Sequence, residues 1–163
     1  MSLGISIRMS QTTKPINISF KELDVEFDRE ISLIENRIHR NPWSQEQIKE
    51  SFHNKYTLVI GAFNQDELIG YCFMLIAKTE AEILNIAIDI NFQRKGLGEA
   101  LLKECLERLE SLKAKNLFLE VRQSNHAAKN LYSKMGFKTI GIRKNYYSDN
   151  EDASMMQLIF RQI

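Results

Sequence analysis

"NFQRKGLGEALL" occupies residues 91–102. Arg94 and Lys95 precede two glycines, Gly96 and Gly98, and an apolar periodic run follows them. Glycine loses the most backbone freedom on ordering, so two of them at the mouth of a helix imply a need for bare backbone. The first amide N–H groups of a helix have no partner inside it, and the helix dipole adds partial positive charge there. Residues Arg94, Lys95, Gly96, Leu97, Gly98 and Glu99 are therefore a candidate anion site, suited to a phosphate or diphosphate. A glycine-containing turn with exposed basic residues fits the same letters.

The neighbouring segments fix the fold class. "EILNIAIDI" (82–90) reads as a strand whose alternation is broken by the polar Asn85. After the glycines, Leu97, Leu101, Leu102, Cys105, Leu106, Leu109 and Leu112 share one helical face. "NLFLEV" (116–121) reads as a continuously apolar, buried strand. A strand–helix–strand unit of this length is parallel and right-handed. Upstream, 56–63 and 67–77 read as strands of an antiparallel hairpin across Asn64-Gln65-Asp66. Before them come a strand (16–23), a helix (24–40) and a short helix (44–52) capped by Ser44. Downstream lie a helix (124–137), with Ser124 or Asn125 as cap and Gly136 as stop, and two strands (138–147 and 153–160). The expected fold is a three-layer α/β/α domain over 16–163 around a central mixed, mostly antiparallel sheet, after a flexible segment 1–15.

Composition removes several classes of function. Lys and Arg number 22 against 21 acidic residues, a net charge of +1, so nothing draws the whole chain to nucleic acid or membranes. No apolar run reaches the ~18 residues of a membrane span, and the N-terminus lacks a signal-peptide core. Cys72 and Cys105 sit in apolar runs and read as buried free thiols, which suits a cytoplasmic protein. His39, His53 and His126 form no metal-binding spacing, so no metal is expected.

The ligand of the glycine turn can be narrowed. The phosphate loop GxxxxGK[ST] is absent. A dinucleotide fingerprint fails because Leu101 stands where close helix packing needs glycine or alanine. The glycines also come after a hairpin, not in a first strand–helix turn.

Gln93-Arg94-Lys95-Gly96-Leu97-Gly98 resembles the Q/R-x-x-G-x-G/A signature of the Gcn5-related N-acetyltransferase (GNAT) family. The apolar strand before it, the helix after it, "LFLEV" and "LYSKMGF" follow in the family's order, and the likeness covers roughly residues 16–160. The resemblance implies that the turn holds the diphosphate of acetyl-coenzyme A. It also implies that the preceding strand splays from its parallel neighbour, with backbone groups of Ile86, Ala87 and Ile88 facing the pantetheine arm. Asn125 is the implied cofactor contact from the next helix. Within the family, "NPWS" (41–44), "LEVRQSNHAAKNLY" (119–132) and "IRKNYYSDNEDASMM" (142–156) are similar to bacterial ribosomal-protein-alanine N-acetyltransferases of the RimI type. Those enzymes usually carry proline after the Tyr-Tyr pair, where this chain has Ser148.

Acetyl transfer to an amine needs a proton acceptor, because an α-amino group has a pKa of about 7.7–8.0. Glu120 ends an apolar run and is the candidate base; read from the residues alone, a solvated strand-end glutamate fits as well. Tyr132 is the candidate acid, since a phenol with pKa about 10 stays protonated, although a core aromatic beside Phe137 fits the same position. The resemblance supports both catalytic roles. It also assigns Tyr146 and Tyr147 to a peptide groove, where surface strand aromatics are the alternative. Trp43 either anchors the first helical arm over that groove or packs in the core. Neither cysteine has a triad pattern, so direct amine attack is expected.

The expected activity is acetyl-coenzyme A-dependent N-acetylation of a protein N-terminus, namely alanine of a small-subunit ribosomal protein. A monomer or weak dimer is expected. A small-amine acetyltransferase acting on a polyamine or drug, and a coenzyme A-binding module without catalysis, are the alternatives.

Overall fold

In the computed structural model, which describes residues 5–7 and 16–161, the chain opens with strand β1 (Ile5–Ile7) paired antiparallel to β2 (Ile16–Glu22). No element was expected before residue 16; the two β-branched isoleucines of Ile-Ser-Ile suit a strand. The rest of the expected flexible segment 1–15 lies outside the described residues.

The expected helix 24–40 is divided. Asp24 caps a single tight turn (Val25–Phe27) by accepting from the Glu26 N–H at 3.0 Å, and helix α1 (Asp28–Ile38) follows. Asn41-Pro42 then breaks the chain before α2 (Gln45–His53). Ser44 and Gln47 form a reciprocal capping box at the start of α2, the expected one.

Strands β3 (Thr57–Asn64) and β4 (Glu67–Ala77) are joined by the two-residue turn Gln65–Asp66. Gln65 takes φ 55, the left-handed form that short hairpin turns demand at their first position. Lys78, φ 57, does the same before β5 (Glu80–Ile88). Helix α3 (Leu97–Ser111) leads to β6 (Asn116–Arg122), then α4 (His126–Lys134), β7 (Lys138–Arg143) and β8 (Ala153–Ile159). The strand order is β1-β2-β3-β4-β5-β6-β8-β7. β5 and β6 are parallel, and β8 runs antiparallel to both β6 and β7. This is the expected mixed, mostly antiparallel sheet. The parallel ladder pairs Glu80–Ile83 with Asn116–Leu119 and stops, while β5 continues to Ile88 and β6 to Arg122, so the pair splays.

Two compact units are distinguished: residues up to Met74 with Asn85–Leu106, and Leu75–Leu84 with residues from Glu107 onward. The first holds a core of Ile31, Ile34, Ile48, Val59, Tyr71 and Phe73, among others. Phe73 is ringed edge-on by Trp43, Phe52 and Tyr71 at 5.3–5.7 Å between centroids, an arrangement that adds to simple area burial. In the second, Leu117, Leu119, Val121, Tyr132, Phe137 and Met156 are buried.

Two expectations of burial change. β6 is not buried throughout: Leu117, Leu119 and Val121 are buried, but Phe118 and Glu120 on the alternate face are half-exposed. An apolar run cannot show that one face borders a pocket. Leu112 is not on the core face of α3; it lies one residue past the helix end and is 54% exposed.

Candidate functional site

The glycine turn is built by local hydrogen bonds. β5 ends at Ile88, earlier than expected, because buried Asp89 starts a single tight turn at Ile90–Phe92. Its main-chain N–H donates to Ile69 O at 2.8 Å, and its carbonyl accepts from Phe92 N. Arg94, φ 60, and Gly96, φ +75, both take the left-handed conformation, which reverses the chain into α3. A Cβ on Gly96 would meet nothing within 4 Å, so this glycine serves the backbone conformation and leaves the space before the helix open.

The first hydrogen bond of α3 runs from Ala100 N to Gly96 O. The N–H groups of Leu97 and Gly98, in the first turn, therefore have no acceptor within the helix. Arg94 is exposed, Lys95 folds over the Phe92 ring at 5.6 Å, and the Glu99 carboxylate is paired with Lys103 at 3.1 Å. Positive main-chain potential and two basic side chains fit a diphosphate at this position.

Of the strand residues implied for the pantetheine arm, Ile86 is half-buried while Ala87 and Ile88 are buried. The Ile88 carbonyl already accepts from Gln93 Nε2 at 2.9 Å. Asn125 is the N-cap of α4: its Oδ1 accepts from Ala128 N at 3.1 Å. That acceptor is thus engaged in starting the helix.

In the second unit, Glu120 lines a pocket of about 180 Å3 together with Glu82, Phe118, Ile140, Arg143 and Met155. Glu120 is no freely solvated strand-end carboxylate; its side chain is 15% exposed. Arg143 Nε lies 2.9 Å from its Oε1, and Tyr146 hydrogen-bonds to it. That bond, with burial next, pushes the Tyr146 phenol up to about 12. Burial, then the negative charge of Glu120, raises the Glu82 carboxyl, with Arg143 opposing. The pocket thus sets two carboxylates against one guanidinium, an environment that favours a cationic guest.

Tyr146 and Tyr147 lie in the turn beyond β7, which stops at Arg143, and their rings meet edge to face at 5.1 Å. Asn145, φ 51, turns the chain there and donates its N–H to Asp152. Arg122 lies over the Tyr147 ring at 4.0 Å and binds Asp149 and Glu151 at 2.9 Å. Hydrogen bonding to Arg122 holds the Asp149 carboxyl below its ordinary range, while bonds from Ser124 and then Arg122 do so for Glu151. Tyr132 is 7% exposed and packs on Phe137 at 5.6 Å between centroids. Trp43 packs on Phe73, and its main-chain N–H donates to Glu35 Oε2 at 2.8 Å.

Three side chains escape a reading of the sequence. Arg143 and Glu82 reach Glu120 only through sheet register, and no local pattern marks them. Glu35 hides in a helical stripe as one more glutamate; the single clue was the polar Asn85 interrupting its strand. Cys72 and Cys105 are buried free thiols. Burial and the neighbouring Cys105 raise the Cys72 thiol, which leaves it protonated and unsuited to nucleophilic attack. Among the described residues, no group of three or more His, Cys, Asp or Glu could hold a metal, and no helix is long and apolar enough to cross a membrane.

Comparison with known proteins agrees with this geometry. The profile of the acetyltransferase (GNAT) family matches residues 22–137. The ribosomal protein bS18-alanine N-acetyltransferases of Salmonella typhimurium and Escherichia coli K12 are each 38% identical over 128 residues, covering 77% of this chain and 86% of the relative. The crystal structure of the ribosomal-protein-S18-alanine N-acetyltransferase from Escherichia coli has a TM-score of 0.85 at 33% identity, covering 90% of this chain and 96% of that one.

Proposed function

The chain belongs to the acetyltransferase (GNAT) family and is an N-acetyltransferase, and on that premise we propose that it acetylates the α-amino group of an N-terminal alanine on a small-subunit ribosomal protein. Relatives at 38% identity are ribosomal protein bS18-alanine N-acetyltransferases, which supports the acceptor. The observation that carries the reading is Glu120, a half-buried carboxylate in a pocket of about 180 Å3 that also holds Glu82 and Arg143.

Acetyl-coenzyme A, as donor, supplies a thioester whose carbon–sulfur bond breaks as the new amide bond forms. The main-chain N–H groups of Leu97 and Gly98 at the start of α3, with Arg94, Lys95 and Glu99 around them, line the place proposed for its diphosphate. Main-chain groups of Ile86 and Ala87 align the arm. Glu120 accepts the proton that the ammonium must lose before its nitrogen can attack. Glu82 adds negative charge that draws the ammonium into the pocket. Tyr132 gives a proton to the departing sulfur; its phenol is uncharged at neutral pH. Tyr146 and Tyr147 flank the peptide backbone. No acyl-cysteine step is needed.

Intact-mass analysis tests this directly. An Ala-initiated peptide from a small-subunit ribosomal protein is incubated with enzyme and isotopically labelled acetyl-coenzyme A, beside a panel of polyamines and aminoglycosides. The expected result is one labelled acetyl group on the peptide α-amine. Labelling of the small amines alone overturns the acceptor assignment.

A further inference from the structure

Asn85 is a polar residue in the middle of β5, and nothing in acetyl transfer asks for it there. Its side-chain amide donates to Glu35 Oε1, on helix α1. Glu35 is 1% exposed and sits in the first unit's apolar core. The same Oε1 accepts the Tyr71 hydroxyl, and Oε2 accepts the main-chain N–H of Trp43 at 2.8 Å. His39 Nε2 stands 3.5 Å from Oε1 without hydrogen-bond geometry. Two residues further along, Arg37 pairs with Asp89. Residues 86–88 therefore lie between two side chains, Asn85 and Asp89, that α1 holds in place.

We propose that the Glu35 carboxylate is a positioning residue, which sets the strand that carries the acetyl donor and the Trp43 arm on the acceptor side in one fixed geometry. The inference rests on the acetyltransferase reading above. A buried carboxylate is not the cheapest filling for a core; apolar side chains of similar volume usually serve stability as well or better. What a carboxylate adds is direction. Each oxygen accepts along its own lone pairs, so the two oxygens fix two partners relative to each other. Here one oxygen holds β5 through Asn85 and the other holds the segment between α1 and α2 through Trp43. Catalytic geometry tolerates little displacement, and shifts of ~1 Å cost rate steeply.

The test compares three variants of the full chain. Glu35→Gln keeps the shape, but its amide nitrogen cannot accept, so one of the two sides is lost. Asn85→Ala cuts only the tie to β5. Ile48→Val trims the same core without touching either tie and serves as the stability control. Thermal melts, acetyl-coenzyme A affinity by calorimetry and KM for the Ala-initiated peptide are measured for each. Glu35→Gln is expected to raise KM for donor or peptide about tenfold, with an unchanged pH profile. Asn85→Ala is expected to weaken acetyl-coenzyme A binding while peptide KM stays put, and Ile48→Val to lower Tm alone. Wild-type donor affinity in a folded Asn85→Ala protein overturns the proposal, including where Glu35→Gln fails to fold. A wild-type protein that does not bind acetyl-coenzyme A overturns the function reading and this inference with it. One that binds the donor but leaves the peptide unmodified overturns only the acceptor assignment, and the Asn85→Ala affinity still decides the donor side.

Discussion

Arg143 on β7 holds Glu120 on β6, Nε to Oε1 at 2.9 Å, with the guanidinium 52% exposed and the carboxylate 15%. A pair so open to solvent adds under ~1 kcal/mol to stability, so its effect falls on chemistry. The guanidinium holds one oxygen of the carboxylate in place, and a reacting group that is displaced costs rate steeply. Arg143→Gln is therefore expected to lower kcat/KM for the peptide about tenfold, with Tm nearly unchanged. Wild-type kcat/KM in the variant shows that Arg143 does not govern Glu120.

Glu82 gives a stability prediction with a definite sign. Burial first, and the charge of Glu120 second, raise its folded-state pKa above the unfolded value. The protonated form is then favoured by folding, so its contribution is fully present below the unfolded pKa and is lost as pH rises through the folded one. Glu82→Gln is expected to raise Tm at pH 7–8 by ~1–2 °C and to leave it unchanged near pH 4. Melts across that range check it; an equal gain at both ends excludes ionisation as the cause.

Tyr132→Phe removes one oxygen from a ring that is 7% exposed and packed on Phe137. The fold should survive, since the ring and its packing remain. The expected result is unchanged acetyl-coenzyme A affinity with kcat lower by about 10²-fold. Wild-type turnover in the variant removes Tyr132 from the proton-donor role.

Gly70 on β4 is close-packed against β5. A Cβ there would fall 2.6 Å from Ile88 Cδ1 and 2.8 Å from the Ala87 carbonyl oxygen. The isoleucine tip can rotate, but the main-chain oxygen cannot move without moving the strand. Gly70→Ala is expected to cost about 1–3 kcal/mol of stability and to weaken acetyl-coenzyme A binding as well. Gly96→Ala has open space around it and meets only the strain of φ +75, about 1–2 kcal/mol. Calorimetry and melts on the pair separate a steric effect from a conformational one.

The boundary between what was legible and what was not follows the range of the interactions. The capping box of Ser44 and Gln47, the two-residue turn at Gln65–Asp66, the Asn125 cap and the glycine turn at 94–98 are each decided within a few residues. Their chemistry is written in adjacent letters, so the order of strands and helices from 16 onward could be read in advance, with the cap of α4 left between Ser124 and Asn125; the splay of the parallel pair came only with the family resemblance. The bent start of α1 could not, because Asp24 caps its own local turn where the apolar spacing ran on unbroken.

The amino-acid sequence by itself determined the glycine turn at the start of α3, because left-handed backbone and the start of a helix are decided within a few residues, and its resemblance to the acetyltransferase family carried the kind of reaction. Only the tertiary structure decided the ionic company of Glu120 and the tie between Glu35 and Asn85, which lie fifty residues apart along the chain. Register and packing bring such groups together, and a charged side chain's behaviour depends on the charges and burial that it then meets.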